Sequence, residues 1–197
     1  VGGGQQNTAS SNGTTVSGGR CNTSNSTGST VSGGFGNTSS CLGSTVGGGF
    51  GNTASGNRST VSGGQENTAS AYYSTVSGGY NNTASSCYST VGGGVNNTAS
   101  CNYSTIGGGY CNTAPTGKGI NTQTIGGGQE NIASGDTSTI SGGYKNYTNG
   151  NQSTIGGGIC NRICNSLGVT CAAGATIAGG VGNNTSGGTF DGTIFSV

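Results

Sequence analysis

The sequence predicts an all-β fold: a parallel β-solenoid, built as a flat two-stranded β-roll of about twelve rungs with essentially no helix. Three observations predict it. A Val or Ile recurs at Val1, Val16, Val31, Val46, Val61, Val76, Val91, Ile106, Ile125, Ile140, Ile155 and Ile177, mostly 15 residues apart. A short fixed period is the mark of stacked repeats. Two Gly follow each of these residues at a constant offset, from Gly3 and Gly4 to Gly179 and Gly180, which calls for a tight turn or a close backbone approach in every repeat. Finally, the apolar residues show no 3.6-residue spacing, so no amphipathic helix is expected.

Within one repeat the elements follow in order. Ser59-Thr60-Val61-Ser62 reads as a first strand, Gly63-Gly64 as a turn and Asn67-Thr68-Ala69-Ser70 as a second strand. Side chains alternate along a strand. Val61 and Ala69 inward therefore place Thr60, Ser62, Thr68 and Ser70 outward, giving a thin Val/Ile–Ala seam between two hydroxyl-bearing faces. An Asn stands three residues after the second Gly of every repeat: Asn7, Asn22, Asn37, Asn52, Asn67, Asn82, Asn97, Asn112, Asn131, Asn146, Asn161 and Asn183. Stacked one per rung, these can form a structural amide ladder. The period lengthens before Ile125 and before Ile177, which predicts loop insertions near 114–123 and 164–174 in a repeat domain spanning 1–187. Residues 188–197 are expected to form a C-terminal strand or cap. Its apolar residues Phe190, Ile194, Phe195 and Val197 suit a strand that closes the last rung or joins the next subunit. A core of two small apolar side chains per rung leaves burial to be found elsewhere, and self-association is the natural source.

Composition narrows the function classes. Of 197 residues 46 are Gly, nine are charged (five basic, four acidic), one is Pro, and His, Met and Trp are absent. Such polarity ordinarily goes with disorder, but the strict repeat and a net charge of +1 favour order through backbone pairing. Near-neutral charge gives no reason to expect nucleic acid as a partner. No apolar run is long enough to span a membrane. The lack of a signal peptide or initiator Met reads as a mature or trimmed product. Eight Cys fit an oxidising extracellular, cell-surface or virion-surface setting.

Some positions vary between repeats. The residue after Gly-Gly is often large, as at Phe35, Phe50, Tyr80, Tyr110 and Tyr144, but is Gln or Arg at Gln5, Arg20, Gln65 and Gln129. A second aromatic column holds Tyr73, Tyr88 and Tyr103. Both columns read either as local stacking or as contact surfaces for a neighbouring chain or a glycan. Cys87 and Cys101 share nearly the same offset on successive repeats and are the candidate intrachain disulfide. Cys164 has Cys160 or Cys171 as possible partners. Cys21, Cys41 and Cys111 have none on a neighbouring rung and are either free thiols or interchain cysteines. Sequons such as those at Asn12, Asn57 and Asn102 are frequent, as any Asn/Thr-rich repeat makes them.

No chemistry stands out. The absence of His removes His-based triads and His metal sites. Glu66, Glu130, Asp136 and Asp191 are scattered, not paired as glycosidic hydrolysis requires. Thr116-Gly117-Lys118-Gly119 lacks the spacing of a phosphate loop. The Gly-Gly-Phe-Gly-Asn stretches at Gly33 and Gly48 lack the Asp of calcium-binding repeats, and no C-x-x-C pair is present for zinc. We expect no catalytic residue, no metal and no cofactor.

The unit Ser-Thr-Val-Ser-Gly-Gly-x-x-Asn-Thr-Ala-Ser-x-x-Tyr resembles the head repeats of YadA-like trimeric autotransporter adhesins and related phage and virus fibre repeats. The resemblance extends to about Asn183. It implies a left-handed parallel β-roll, often trimeric, at a cell or virion surface and engaged in adhesion. The function expected is thus a non-enzymatic, glycine-rich extracellular structural or adhesive protein. Its partner is itself, in a fibre, filament or trimer, with host or matrix glycans as further candidates. Two alternatives are an ice-binding solenoid using outward Thr/Ser ladders and a glycan-binding surface rod. Against ice binding, Thr-x-Thr is mostly Thr-x-Ser or Thr-x-Gly here.

Overall fold

Two strands per repeat, mostly two residues long, build the fold. The computed structural model describes residues 1–116, 122–164 and 173–186, and all regular structure among them is strand. The chain divides into two compact units, Val1–Asn96 and Asn97–Val197, each a parallel β-solenoid with two sheets.

In the first unit, six strands from Thr8–Ala9 to Thr83–Ala84 form one sheet, and six from Thr15–Val16 to Thr90–Val91 form the other. Like residues pair with like: Thr75 with Thr60, Val76 with Val61, Thr83 with Thr68, Ala84 with Ala69. A third row of single-residue bridges joins Gln5, Arg20, Phe35, Phe50, Gln65, Tyr80 and Val95. The two-stranded reading did not include it.

Left-handed residues mark corners between the rows. The Phe35 N–H donates forward to the Gly49 carbonyl at 2.9 Å. The residue after it, Gly36, has φ +66, and its N–H donates backward to the Arg20 carbonyl at 3.0 Å. The same reversal recurs at Cys21, Glu66, Asn81 and Asn96, all with φ between 51 and 57. A second left-handed corner holds Arg58, Tyr73 and Tyr88, with φ from 53 to 58. Non-Gly residues adopt this region at a cost of about 1 kcal/mol; the backward bonds, such as Tyr73 N–H to the Asn57 carbonyl at 3.0 Å, offset it.

The interior contains the apolar seam and more. Val61 and Ala69 are fully buried. Thr60 and Thr68 are half-buried, and Ser62 and Ser70 are exposed. Two polar columns share the inside, because alternation that turns Val61 and Ala69 inward does the same to Ser59 and Asn67. In the first unit the buried Ser are satisfied locally, as Ser59 Oγ donates to the Gly56 carbonyl and Ser74 Oγ to the Ala71 carbonyl, both at 2.8 Å; in the second, Ser138 Oγ has no hydrogen-bond partner among the described residues. Where Ser replaces the seam Ala, hydroxyls pair across the interior, Ser24 with Ser29 and Ser39 with Ser44, at 2.7 Å.

The Asn column is a ladder to backbone first and to side chains second. Asn37 Nδ2 donates to the Gly33 carbonyl of its own turn at 2.9 Å and to the Gly49 carbonyl of the next at 2.8 Å. Its Oδ1 accepts the Asn52 backbone N–H at 2.9 Å. Direct amide contacts at 3.2 Å link Asn67 to Asn52 and Asn82 to Asn67.

In the second unit Ile replaces Val: Ile106, Ile125, Ile140 and Ile155 are fully buried, opposite Ala114, Ala133 and Ile163. Residues 117–121 and 165–172, within the expected insertions, lie outside the described residues, as does the 188–197 tail with Phe190, Ile194, Phe195 and Val197. On either side of the longer connections the register is kept. Ile106 pairs with Ile125 and Ile155 with Ile177. Across the same connections the Asn131 N–H reaches Asn112 Oδ1, and the Asn183 N–H reaches Asn161 Oδ1, each at 3.0 Å.

One interior residue breaks the polar pattern. Gln123 occupies the buried Ser column, and neither amide atom has a hydrogen-bond partner among the described residues. Gln123→Met keeps the shape and removes the orphaned amide. It is expected to raise stability by about 1–2 kcal/mol, read as a higher urea midpoint. A lower midpoint would mean that the amide holds a buried partner.

Candidate functional site

Among the described residues no three His, Cys, Asp or Glu side chains converge as a metal site would require. What the backbone does present outward is side chains at the two left-handed corners and on the sheet faces.

At the first corner of the first unit the residues after Gly-Gly stack. Phe35 and Phe50 have centroids 5.3 Å apart and planes within 11°, and the Arg20 guanidinium lies 5.4 Å from the Phe35 centroid. Both rings stay exposed, as does Tyr80. At the second corner Arg58 lies 5.4 Å from the Tyr73 centroid and its Nη1 donates to the Tyr73 hydroxyl. That hydrogen bond, before the electrostatic effect of the same ring, holds the Arg58 pKa above its ordinary value. Tyr73 stacks on Tyr88 at 5.4 Å and 11°, while Tyr72 meets both edge-on. Stacked rings turn their faces to each other and leave edges to solvent. A sugar needs a free face, so these columns serve ring-to-ring packing better than carbohydrate stacking.

The second unit carries a charged version of the first corner. Bridges join Tyr110, Gln129, Tyr144, Ile159 and Val181. Lys145 lies 4.9 Å from the Tyr144 centroid and 3.4 Å from Glu130. Glu130 accepts a hydrogen bond from Gln129 Nε2 at 2.9 Å. That bond, and then Lys145, lower the Glu130 pKa. A hydrogen bond with Tyr144, and then Glu130, raise that of Lys145. The Tyr110 phenol is raised, chiefly by its hydrogen bond with Cys111. A lowered carboxylate pKa gives stability that is present above the unfolded value and lost as pH falls through the folded one. These groups are exposed, and solvent screening keeps the effect small. Tyr103 is exposed.

The sequence reading missed one feature. The outward Thr ladder runs from Thr8 to Thr83 in the first unit and through Thr98 and Thr113 in the second, where Ile132, Tyr147 and Arg162 then take its place. They are in register, Ile132 with Tyr147 and Tyr147 with Arg162, and the guanidinium lies 5.2 Å from the Tyr147 centroid. The signal was legible as the residue following Asn131, Asn146 and Asn161.

The cysteines sort by place. Cys21, Cys111 and Cys160 occupy the same left-handed position, with φ from 54 to 57. Cys21 Sγ donates to Gln6 Oε1 at 3.2 Å. Cys101 is buried and Cys41 and Cys87 are half-buried, with Cys87 in the first unit and Cys101 in the second. Arg162 Nε donates to Cys164 Sγ at 2.7 Å. No disulfide is present among the described residues; Cys171 lies outside them. Of the sequon residues, Asn12 and Asn102 are exposed and Asn57 is half-buried. Among the described residues no helix is long and apolar enough to cross a membrane.

Residues 74–85 match the family described as Ubiquitous surface protein adhesin repeat. The match covers one Thr75–Val76 strand, the Gly78-Gly79 turn, the ladder residue Asn82 and the Thr83–Ala84 strand. No curated protein matches the chain.

Proposed function

We propose that the chain is a non-enzymatic structural and adhesive repeat protein of a cell or virion surface, which self-associates into a trimer, fibre or filament. The adhesin-repeat match over residues 74–85 carries this reading, because it falls on the unit that builds the whole solenoid. The exposed apolar side chains support it: Phe35, Phe50 and Tyr80 project from a corner row of the first unit, and Tyr110 and Ile159 from a corner row of the second, at 39–47 % exposure, and such rows mark contact surfaces. The tail from Phe190 to Val197, the thiols of Cys21, Cys41 and Cys111, and a Cys87–Cys101 bridge under oxidising conditions belong to the same proposal. Glycan binding is less favoured because the stacked rings offer edges. Ice binding is less favoured because each sheet of the first unit carries a single Thr column.

Sedimentation velocity and negative-stain microscopy of the purified chain, with and without reductant, test the reading. A defined oligomer or filament is expected in both, with covalent links added under oxidation. A chain that stays monomeric at micromolar concentration in both conditions would sink it.

A further inference from the structure

Tyr73 and Tyr88 stand at the same corner of successive turns. Both have left-handed backbones, with φ 53 and 58, and backward hydrogen bonds at 3.0 and 2.9 Å fix their register. Their rings are parallel within 11° at 5.4 Å, with 38 % and 43 % exposure. Parallel rings on parallel side chains bring the carbons ortho to the two hydroxyls opposite each other, and partial exposure leaves room to tilt them into contact. Tyr72 is close to both, but at 83° and 87° it sets an edge against a face, which keeps its ortho carbons from meeting theirs.

We propose that Tyr73 and Tyr88 form an oxidative cross-linking site, coupling to dityrosine within one chain when a haem peroxidase supplied with hydrogen peroxide acts on it. Each phenol loses one electron and one proton. The two phenoxyl radicals join through one Cε of each ring. The hydrogen on each joined carbon then moves to the ring oxygen, restoring both phenols. The two electrons and two protons removed reduce one hydrogen peroxide to two waters. The product is a carbon–carbon staple between two successive turns, which thiol reductants do not open.

The test uses the full chain with its thiols alkylated, so that thiyl chemistry does not compete. Peroxidase and peroxide are expected to give blue dityrosine fluorescence, a monomer lighter by two hydrogens, and a cross-linked peptide pair containing Tyr73 and Tyr88. Tyr73→Phe and Tyr88→Phe keep the stacked rings and should each lower the intrachain yield about tenfold, the loss expected when a positioned partner is removed. Tyr144→Phe should leave it unchanged. Unchanged circular dichroism establishes that the variants fold. Full intrachain yield in either Phe variant, a cross-link through Tyr72, a product formed only between chains, or no dityrosine at all would each overturn the proposal.

Discussion

Gly64→Ala is expected to lower the stability of the chain by about 2–5 kcal/mol, while Gly63→Ala next to it changes stability by less than about 0.5 kcal/mol. In the sequence the two glycines are equivalent, since both recur in every repeat. In the structure they are not. Gly64 has φ +88, and a Cβ there would lie 2.3 Å from the Gly79 carbonyl oxygen, 2.6 Å from Asn67 Nδ2 and 2.8 Å from the Gly79 nitrogen. Two of these atoms are backbone of the next turn, and the third is the ladder amide; neither the Gly79 carbonyl nor the Asn67 amide can retreat without opening a hydrogen bond. A Cβ on Gly63 would meet nothing within 4 Å. Urea midpoints of the two variants decide the matter. Equal losses would show that Gly-Gly acts through chain flexibility and not through close approach.

How much of this was legible beforehand can be argued from the same positions. The period fixes the stacking, and alternation from Val61 and Ala69 fixes the inward and outward sides, because a one-residue slip would put Thr60 and Thr68 in the core. Asn and Gly recur at constant offsets, so their columns were visible. Their partners were not, since a repeat states which residues stack but not that Asn37 reaches backward to Gly33 and forward to Gly49. The third row of bridges was hidden for a different reason. Its residues, from Gln5 to Val95, share an extended backbone and no side-chain chemistry, and the left-handed residue that follows them is Gln, Cys, Gly, Glu or Asn by turns. Only Gly and Asn among these advertise a positive φ. The outward patch of Ile132, Tyr147 and Arg162 was readable as a break in the Thr column.

The polar interior carries a structural consequence. An all-apolar seam of this width would tolerate slippage between turns, because Val packs on any Val. The Asn column does not tolerate it. An Asn such as Asn37 bonds its own turn and the turn after through its amide and the turn before through its backbone N–H, so a displaced turn leaves buried donors and acceptors without partners. The register kept across both longer connections of the second unit, at Asn112–Asn131 and Asn161–Asn183, is the behaviour such a column enforces.

Asn67→Asp tests that column most directly, because it changes chemistry and leaves shape alone. Asn67 is fully buried. Its Nδ2 donates to the Gly63 carbonyl at 3.0 Å, to the Gly79 carbonyl at 2.9 Å and to Asn52 Oδ1 at 3.2 Å. Its Oδ1 accepts from the Asn82 backbone and side chain at 3.0 and 3.2 Å. The substitution puts an oxygen where three acceptors expect a donor and buries a charge with no cation beside it. A loss of about 3–5 kcal/mol is expected at neutral pH. Burial and the facing carbonyls both disfavour the ionised form, so the folded pKa of the introduced carboxyl rises above the unfolded value of about 3.9. The folded variant then holds more protons than the unfolded one, and its stability rises as pH falls toward that value. The deficit relative to the native chain should therefore narrow on acidification, when a protonated oxygen can donate again. Asn81→Asp, the same change at an exposed neighbour, controls for net charge and should cost less than about 0.5 kcal/mol. A variant at Asn67 that matches the native urea midpoint at neutral pH, or whose deficit is independent of pH, would remove the buried amide from the forces that hold successive turns in register.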